Sequence, residues 1–348
     1  MSTSARGSVT IADVAREAGV SRTTVSHALT GKGRVDPATR ARVSDAAERL
    51  GYRPNVRAQR LRGGRSKTVA ILSALPPSIV GENSEMGFLI DLAVPAARAC
   101  LAHGYAMLLV PPGAPPEHLD GLDIDGAIVL DPREDDPNWA ALSARGITVV
   151  TIGEARGVVP DGVLERGLAG AETMIDHLVA EGARRIGVIV SEEQHALSAL
   201  LPDAFAAWGW RRGDAEIILA RARASDGTDA GARVTAELLA REPGLDAVYA
   251  PLDAFAVGAM QAVTASGRRV PDDVRIATNY DGPRAAACIP QLTTLDLDLP
   301  EMGRIAVAML VALLDDAPVP RRTAPAPRVI VRGSTRAGAS SGPVVSLG

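Results

Sequence analysis

The side chains best placed for directed polar chemistry stand close together near the amino terminus. Arg22, Thr23 and Thr24 open a short helical pattern, and His27 lies one turn further along it. Guanidinium, hydroxyl and imidazole groups at the start of such a helix can hydrogen-bond to base edges in the major groove of DNA. The spacing therefore predicts nucleic-acid recognition if the neighbouring segments form the framework that presents this helix.

The neighbouring segments predict a helix-turn-helix unit. Thr10 is suited to cap a first helix with Asp13 in its first turn, and Gly19 is suited to end that helix. Ser21 is the expected cap of the second helix. The apolar positions of the second helix are Val25, Ala28 and Leu29.

Charge separates this head from the rest of the chain. A third head helix is predicted to start at Asp36-Pro37 and to end at Gly51. Residues 1–66 hold 13 Lys/Arg and 5 Asp/Glu, a net charge of +8, whereas residues 67–348 hold 24 and 36, a net charge of −12. A basic head on an acidic body is typical of a protein that binds a phosphate-rich partner such as DNA.

Other classes of chemistry find little support in the sequence. Cys100 and Cys288 give neither a disulfide framework nor metal-ligand spacing. We find no arrangement of nucleophile, base and orienting residue and no dinucleotide-binding loop, so the sequence predicts no enzyme, no cofactor and no metal. It shows neither a long apolar span nor the apolar core of a signal peptide, so we expect a cytoplasmic protein outside the membrane.

The body alternates short apolar runs with amphipathic stretches. Predicted strands are Thr68–Ser73, Ala106–Val110, Gly126–Leu130, Thr148–Ile152, Arg185–Ile189, Ala215–Leu219, Ala247–Tyr249 and Arg275–Thr278. Predicted helices include Leu89–His103, Gly170–Glu181, Ala230–Arg241 and Ala254–Ser266. This alternation predicts an α/β fold with doubly wound parallel sheets, whose ligands bind at the carboxyl ends of the strands.

Several motifs follow one another along the chain in a characteristic order. In the head they are TIADVAREAGVS, TTVSHALTGKG, TRARVSDAAERLGYRPN and AQRLR. In the body they are GARRIGVI, LDAFAVGAMQAV, RRVPDDVRIATNYD and PQLTTLDLDLPEMGRIAVAMLVALL. In order and spacing they resemble the lac-repressor (LacI/GalR) family of bacterial transcription regulators. The resemblance implies an all-α DNA-binding head on a periplasmic-binding-protein-like body.

The resemblance implies roles for individual head positions. Arg22, Thr23 and His27 match positions that read operator bases, although the family usually has arginine where this chain has His27. Histidine cannot make the bidentate guanine contact of arginine, so the operator sequence stays open. The other DNA-binding positions that we infer are Thr10, Ser21, Thr24, Ser26, Asn55, Arg57 and Ala58. For Ser21, Thr24, Ser26 and Asn55, helix capping and turn formation are the alternative roles.

Residues 55–62 match the hinge helix of the family. An isolated helix this short is unstable in water, so we expect it to fold on DNA against the hinge of a partner. Leu61 matches a leucine that wedges into the minor groove and kinks the duplex, and an ordinary linker leucine is the alternative. We expect residues 63–66 to form a flexible linker.

The resemblance also sets domain boundaries. The head covers residues 1–62. An N-lobe is implied over 67–157 and 292–322, and a C-lobe over 158–291 and 323–334. We expect residues 335–348 to form a disordered tail.

In the cleft between the lobes, the resemblance implies a small effector bound by Phe88, Asp253 and Asp281. Leu201 and Leu252 replace two polar anchors that are frequent in the family. Two carboxylates without the family's arginine favour a neutral sugar or nucleoside over a sugar phosphate. Helix capping is the alternative role for Asp253, and core packing is the alternative for Phe88.

Two functions of the whole chain stay open. We favour a ligand-responsive transcription repressor that binds double-stranded palindromic operator DNA as a homodimer, with a tetramer as an alternative assembly. The second is a DNA-binding regulator of the same family whose cleft no longer binds a ligand. A sugar-binding receptor or an enzyme on the same body has the least support. The direction of any ligand response is not predicted.

Overall fold

The computed structural model describes residues 9–30, 34–52, 65–74, 87–133, 136–154, 157, 159–192, 196–209 and 211–336. The chain divides into two compact units, residues 1–66 and 67–348. Four positions named above, Asn55, Arg57, Ala58 and Leu61, lie outside the described residues.

Three helices form the first unit, α1 (Ile11–Ala18), α2 (Arg22–Thr30) and α3 (Pro37–Leu50). The Asp13 carboxylate accepts hydrogen bonds from the backbone nitrogen of Thr10 at 2.9 Å and from its hydroxyl at 2.7 Å. Gly19 ends α1 at a φ of 65°, in the left-handed region that glycine adopts without strain. The apolar core between the helices consists of Val14, Ala15, Val25, Ala28, Val43, Ala46 and Ala47.

The second unit contains two sheets. The strands of the first sheet are β1 (Thr68–Ser73), β2 (Ala106–Leu109), β3 (Gly126–Leu130), β4 (Thr148–Ile152), β5 (Gly162–Glu165) and β12 (Arg322–Thr323). They are all parallel, in the order β12-β5-β4-β3-β1-β2. The helices of this first lobe are α4 (Gly87–Ala102), α5 (Glu117–Asp120), α6 (Pro137–Ala144) and α12 (Leu299–Leu314).

The strands of the second sheet are β6 (Arg185–Ser191), β7 (Arg211–Arg212), β8 (Ala215–Ala222), β9 (Ala247–Tyr249), β10 (Arg275–Tyr280), β11 (Thr293–Asp296) and β13 (Arg328–Ile330). Their order is β13-β11-β10-β9-β6-β8-β7, with the two outer strands antiparallel to their neighbours. The helices of this second lobe are α7 (Ala169–Ala180), α8 (Ala196–Ala207), α9 (Gly227–Arg241), α10 (Asp253–Ala265) and α11 (Pro283–Ala287). A 3₁₀ turn, Ala224–Asp226, precedes α9.

Two of the predicted lobe boundaries are wrong. The prediction ended the first N-lobe segment at 157, but β5 pairs in parallel with β4 and therefore belongs to the first sheet. The prediction returned the chain to the N-lobe at 292, but β11 pairs in parallel with β10 in the second sheet. The chain therefore crosses between the lobes at residues 166–168, 297–298 and 324–327.

The predicted start of the tail at residue 335 is also wrong. Thr335 is buried, and its hydroxyl lies 2.7 Å from that of Thr293 and 2.9 Å from Nε2 of His177. Burial lowers the pKa of His177, which favours the neutral imidazole within this network. This hydrogen-bond network holds the last described residues of the chain against the second lobe. Among the helices of the described ranges, none is long and apolar enough to cross a membrane.

Candidate DNA-binding surface and effector cleft

The first turns of α2 carry the predicted base-reading side chains. Arg22, Thr23 and His27 are exposed, whereas Val25 and Ala28 are buried in the core of the head. The helix thus packs one face against its own unit and leaves the predicted reading face accessible to a partner.

Ser21 and Thr24 are engaged with each other at the start of α2. The backbone nitrogen of Thr24 donates to Oγ of Ser21 at 3.0 Å, and the two hydroxyls lie 2.9 Å apart. Ser21 therefore caps the helix, which was its alternative role. A hydroxyl offers one donor and two acceptor positions, so this cap leaves capacity for a phosphate contact. Thr10 is exposed and Ser26 is half-buried.

In the body, three charged side chains follow strands of the first sheet. Asp131 comes directly after β3, Glu154 two residues after β4, and Arg166 directly after β5. Nη1 of Arg166 donates to both carboxylate oxygens of Asp131, at 2.9 and 3.0 Å. Asp131 has a φ of 47°, an unusual conformation for a residue with a side chain.

Glu154 is only partly satisfied by the protein. Its Oε1 accepts a hydrogen bond from the backbone nitrogen of Gly167 at 3.0 Å. Its Oε2 is buried and has no hydrogen-bond partner among the residues that the structure describes. A buried carboxylate oxygen without a donor is energetically costly, so this atom is a candidate acceptor for a ligand donor.

These charged groups line an open cavity where the chain crosses between the lobes. Asn279 at the end of β10 adds an amide, and Leu297 and Met302 add apolar surface. Small-molecule sites typically combine apolar walls with a few directed polar groups. The lining of this cavity has that character, so it suits a small polar ligand.

Phe88, the predicted aromatic contact, is covered by other side chains. The ring of Tyr280 meets it edge-on, with centroids 5.3 Å apart and an interplanar angle of 76°. The guanidinium of Arg166 lies 5.9 Å from the Phe88 centroid. Phe88 is half-buried and packs against the core of the first lobe, so its alternative core role is also present.

The two predicted acidic contacts are both paired with arginine. Asp253 is buried, lies 3.6 Å from Nη1 of Arg284, and accepts a hydrogen bond from the backbone nitrogen of Ala254 at 2.8 Å. Burial raises the pKa of Asp253, against the lowering effect of Arg284. Asp281 lies 2.5 Å from Nη1 of Arg332.

The family's arginine position is Leu201 in this chain, and Leu201 is fully buried in the core of the second lobe. Other arginines nevertheless lie near these carboxylates. Arg166, Arg284 and Arg332 supply guanidinium groups from other elements of the fold. Each already faces a carboxylate, so none offers an unopposed positive charge to an anionic ligand.

The sequence offered a signal for some of the residues that were missed. Asp131 and Glu154 follow predicted strands, where ligand-binding residues of α/β folds concentrate. Arg166 follows β5, a strand that was not predicted. Across the described ranges, no cluster of three or more His, Cys, Asp or Glu could hold a metal ion.

Comparison with known families gives two matches along the chain. The model for bacterial regulatory proteins of the lacI family matches residues 10–55. The model for the periplasmic binding protein-like domain matches residues 175–335. The matched ranges correspond to the helical head and to most of the second lobe with α12.

Curated relatives span nearly the whole chain. The HTH-type transcriptional regulator CelR of Thermobifida fusca is 31% identical over 324 residues, which cover 87% of this chain and 91% of that protein. The HTH-type transcriptional repressor PurR of Mannheimia succiniciproducens is 26% identical over 341 residues, covering 94% and 98%.

Solved structures give the same correspondence. The complex of the transcriptional regulator CelR with cellobiose has a TM-score of 0.65 and 27% identity, covering 94% of this chain and 99% of that one. The lac repressor dimer bound to operator and an anti-inducer has a TM-score of 0.71 at 22% identity, covering 95% and 100%, and supports the fold.

Proposed function

The chain belongs to the LacI family of bacterial regulatory proteins, and on that premise we propose that it represses transcription as a homodimer on a palindromic operator. It is a helix-turn-helix transcriptional regulator. The observation that carries the proposal is the exposed face of α2, with Arg22, Thr23 and His27, in a compact basic head. The proposal assigns no enzymatic activity and puts the protein in the cytoplasm, with its DNA.

An apolar stripe on the first lobe supports the homodimer. Val94 and Leu101 lie two helical turns apart on one side of α4 and are 47% and 68% exposed. Leu109, at the end of the outer strand β2, is 37% exposed. Contiguous exposed apolar surface typically marks an interaction site, and we propose that a second copy of the chain covers it.

We propose that contacts to the DNA backbone position the heads, and that side chains of α2 recognise the base sequence. Thr10, Ser21, Thr24, Ser26, Asn55, Arg57 and Ala58 are the proposed positioning residues. Residues 55–62 would fold as a hinge helix on DNA, with Leu61 as the wedge that opens a central base step. Phosphate contacts imply that operator affinity falls steeply as salt concentration rises.

His27 is exposed on the reading face of α2, where its imidazole would hydrogen-bond to a phosphate or a base. Fluorescence anisotropy with labelled operator measures what this contact contributes to affinity.

His27→Ala should weaken operator binding, because alanine removes the hydrogen-bonding capacity of the imidazole. His103→Ala is the matched control, since His103 is an exposed histidine of the body. If His27→Ala retains the wild-type affinity and base preference, His27 makes no such contact.

For the effector, we propose a neutral sugar or nucleoside in the cleft between the lobes. The partly satisfied Glu154 suits a hydroxyl or amine donor, and Asn279 adds an amide to the same cavity. Phe88, Asp253 and Asp281 are the further contacts that the family resemblance implies, and Phe88 lies beside Arg166 of the cavity lining. Every cleft arginine that we describe faces a carboxylate, which disfavours a phosphate group. Since CelR has been solved with cellobiose, cellobiose is the first probe to test.

Glu154→Gln should weaken effector binding by about tenfold or more, because it replaces a charged hydrogen-bond acceptor with a neutral amide. Isothermal titration calorimetry with cellobiose, other neutral sugars and nucleosides measures the change. Glu165→Gln is the matched control, since Glu165 pairs with Arg321 on the surface instead. Equal affinities for Glu154→Gln and wild type would remove Glu154 from the site.

A second candidate function is a regulator of the same family with a silent cleft. It is favoured by the internal pairing of Asp253 with Arg284 and of Asp281 with Arg332. If no sugar, nucleoside or phosphosugar shifts the melting temperature of the purified protein, this second candidate replaces ligand control.

A further inference from the structure

Tyr280 belongs to one lobe by sequence and to the other by packing. It is the last residue of β10 in the second sheet. Its side chain is only 9% exposed and packs in the apolar core of the first lobe, with Leu89, Leu92 and Met302. The phenol ring therefore extends across the boundary between the lobes.

The hydroxyl group and the aromatic ring of Tyr280 both contact residues of the first lobe. The hydroxyl donates to Oδ2 of Asp91 on α4 at 2.6 Å, across 189 residues of sequence. The ring meets Phe88 edge-on at 5.3 Å, a geometry that adds to the energy of simple burial. Burial and the hydrogen bond to Asp91 raise the pKa of Tyr280, so the hydroxyl stays protonated as a donor.

Gly87, at the start of α4, lets the ring come this close. A Cβ atom at Gly87 would lie 2.8 Å from Cε1 and 2.9 Å from the hydroxyl oxygen of Tyr280. Any side chain at this position would push the ring out of its place. The approach is thus a tight fit between the two lobes rather than a loose surface contact.

Tyr280 contacts Phe88 and directly precedes Asp281, two of the residues that the family resemblance assigns to the effector. The negative charges of Asp253 and Asp281 also raise the pKa of its hydroxyl. A ligand that packed against the Phe88 ring from this side would need the space that the Tyr280 ring fills.

We infer that Tyr280 is a tethered occupant of the effector cleft, which latches the two lobes together through Asp91 and Phe88 when no ligand is bound. The inference rests on the proposed function only for the role of the cleft. A ligand that reaches Phe88 must displace the ring, whereas the cavity at Asp131, Glu154 and Arg166 stays open beside the latched tyrosine.

The latch can be tested by measuring the distance between the lobes in the full-length protein without DNA or ligand. Spin labels at Ser143→Cys on α6 and Glu237→Cys on α9 occupy exposed sites on different lobes. The labelled protein also carries Cys288→Ser, so that the label cannot react at that partly exposed cysteine, whereas Cys100 is buried and stays unchanged. An excess of unlabelled protein is mixed in, so that most homodimers carry labels on one protomer only. Pulsed electron–electron double resonance should give one narrow distribution of distances between the two labels in the protein that keeps Gly87 and Tyr280.

Three variants weaken the contact of Tyr280 with the first lobe in different ways. Tyr280→Phe removes only the hydroxyl and should raise the open population about tenfold or more, the factor for one hydrogen bond to a charged acceptor. Tyr280→Ala removes the ring and should broaden and lengthen the distribution further. Gly87→Ala adds a methyl group on the first lobe where the Tyr280 ring now packs, and this group should push the ring away. The variant therefore tests the latch without changing Tyr280.

Tyr249→Phe is the matched control, because Tyr249 is a buried tyrosine whose hydroxyl bonds to Asn279 within the second lobe. It should leave the distance between lobes unchanged. A broad distribution in the unsubstituted protein, or wild-type distances in both Gly87→Ala and Tyr280→Phe, would overturn the latch. Neither outcome bears on operator binding, so failure of the latch and failure of the proposed repressor function are distinguishable.

Discussion

A Leu101→Asp variant should lose the homodimer and, with it, roughly two to four orders of magnitude of operator affinity. In a dimer, the first bound head holds the second head near its half-site at a high effective concentration. A charged side chain in the interface stays hydrated only if the two copies separate. Because Leu101 is 68% exposed in the single chain, the substitution should leave the fold of the lobe intact.

Sedimentation velocity gives the assembly state, and gel shifts with a full operator and with a single half-site give the two affinities. Val159→Asp is the matched control, since Val159 is 91% exposed between β4 and β5 and lies outside the α4 stripe. A Leu101→Asp protein that sediments as a dimer would show that the second copy binds elsewhere.

The parts of the fold that local chemistry determines could be predicted from the sequence. The predicted strands Thr68–Ser73, Gly126–Leu130 and Thr148–Ile152 agree with the structure at both ends. Such strands are buried on both faces of a parallel sheet, so they form uninterrupted apolar runs. The head helices were predicted for a related reason, because Thr10 and Gly19 act on the residues next to them.

The lobe boundaries depended on strands that have no local signal. Gly162–Glu165 and Thr293–Asp296 are four residues long and carry polar side chains. They are strands because β4 and β10 offer them parallel partners, and that pairing is set by the whole sheet. A sequence pattern that considers only neighbouring residues cannot assign them to one lobe or the other.

The same limit applies to the cleft. Of the residues that the family pattern names, Phe88 contacts the Tyr280 ring, and the charges of Asp253 and Asp281 raise the pKa of the Tyr280 hydroxyl. Their partners come from distant parts of the chain, as with Arg166 and Asp131, which are 35 residues apart. Charge balance in a cleft is a property of these pairings, so an argument from a single missing arginine could not predict it.

The base-reading surface gives the second large expected effect, because both heads of a homodimer carry each substitution. A bidentate contact from arginine to a base contributes about 1–3 kcal/mol of discrimination, so two symmetric contacts contribute about 2–6 kcal/mol. Arg22→Ala should therefore weaken specific binding roughly 30-fold or more, since every 1.4 kcal/mol is about tenfold. Selection from a randomised DNA library should also show a changed preference at one position of each half-site.

Arg42→Ala is the matched control, since it removes the same charge from an exposed position on α3 of the same head. If Arg42 contacts only phosphate, its loss should weaken binding to all sequences alike and reduce the slope of the salt dependence. Both variants lose one positive charge per head. A difference between them therefore measures base recognition by Arg22, separately from the general effect of the lost charge. If Arg22→Ala selects the wild-type sequence and loses affinity uniformly, Arg22 is a phosphate contact and base reading falls to Thr23 and His27.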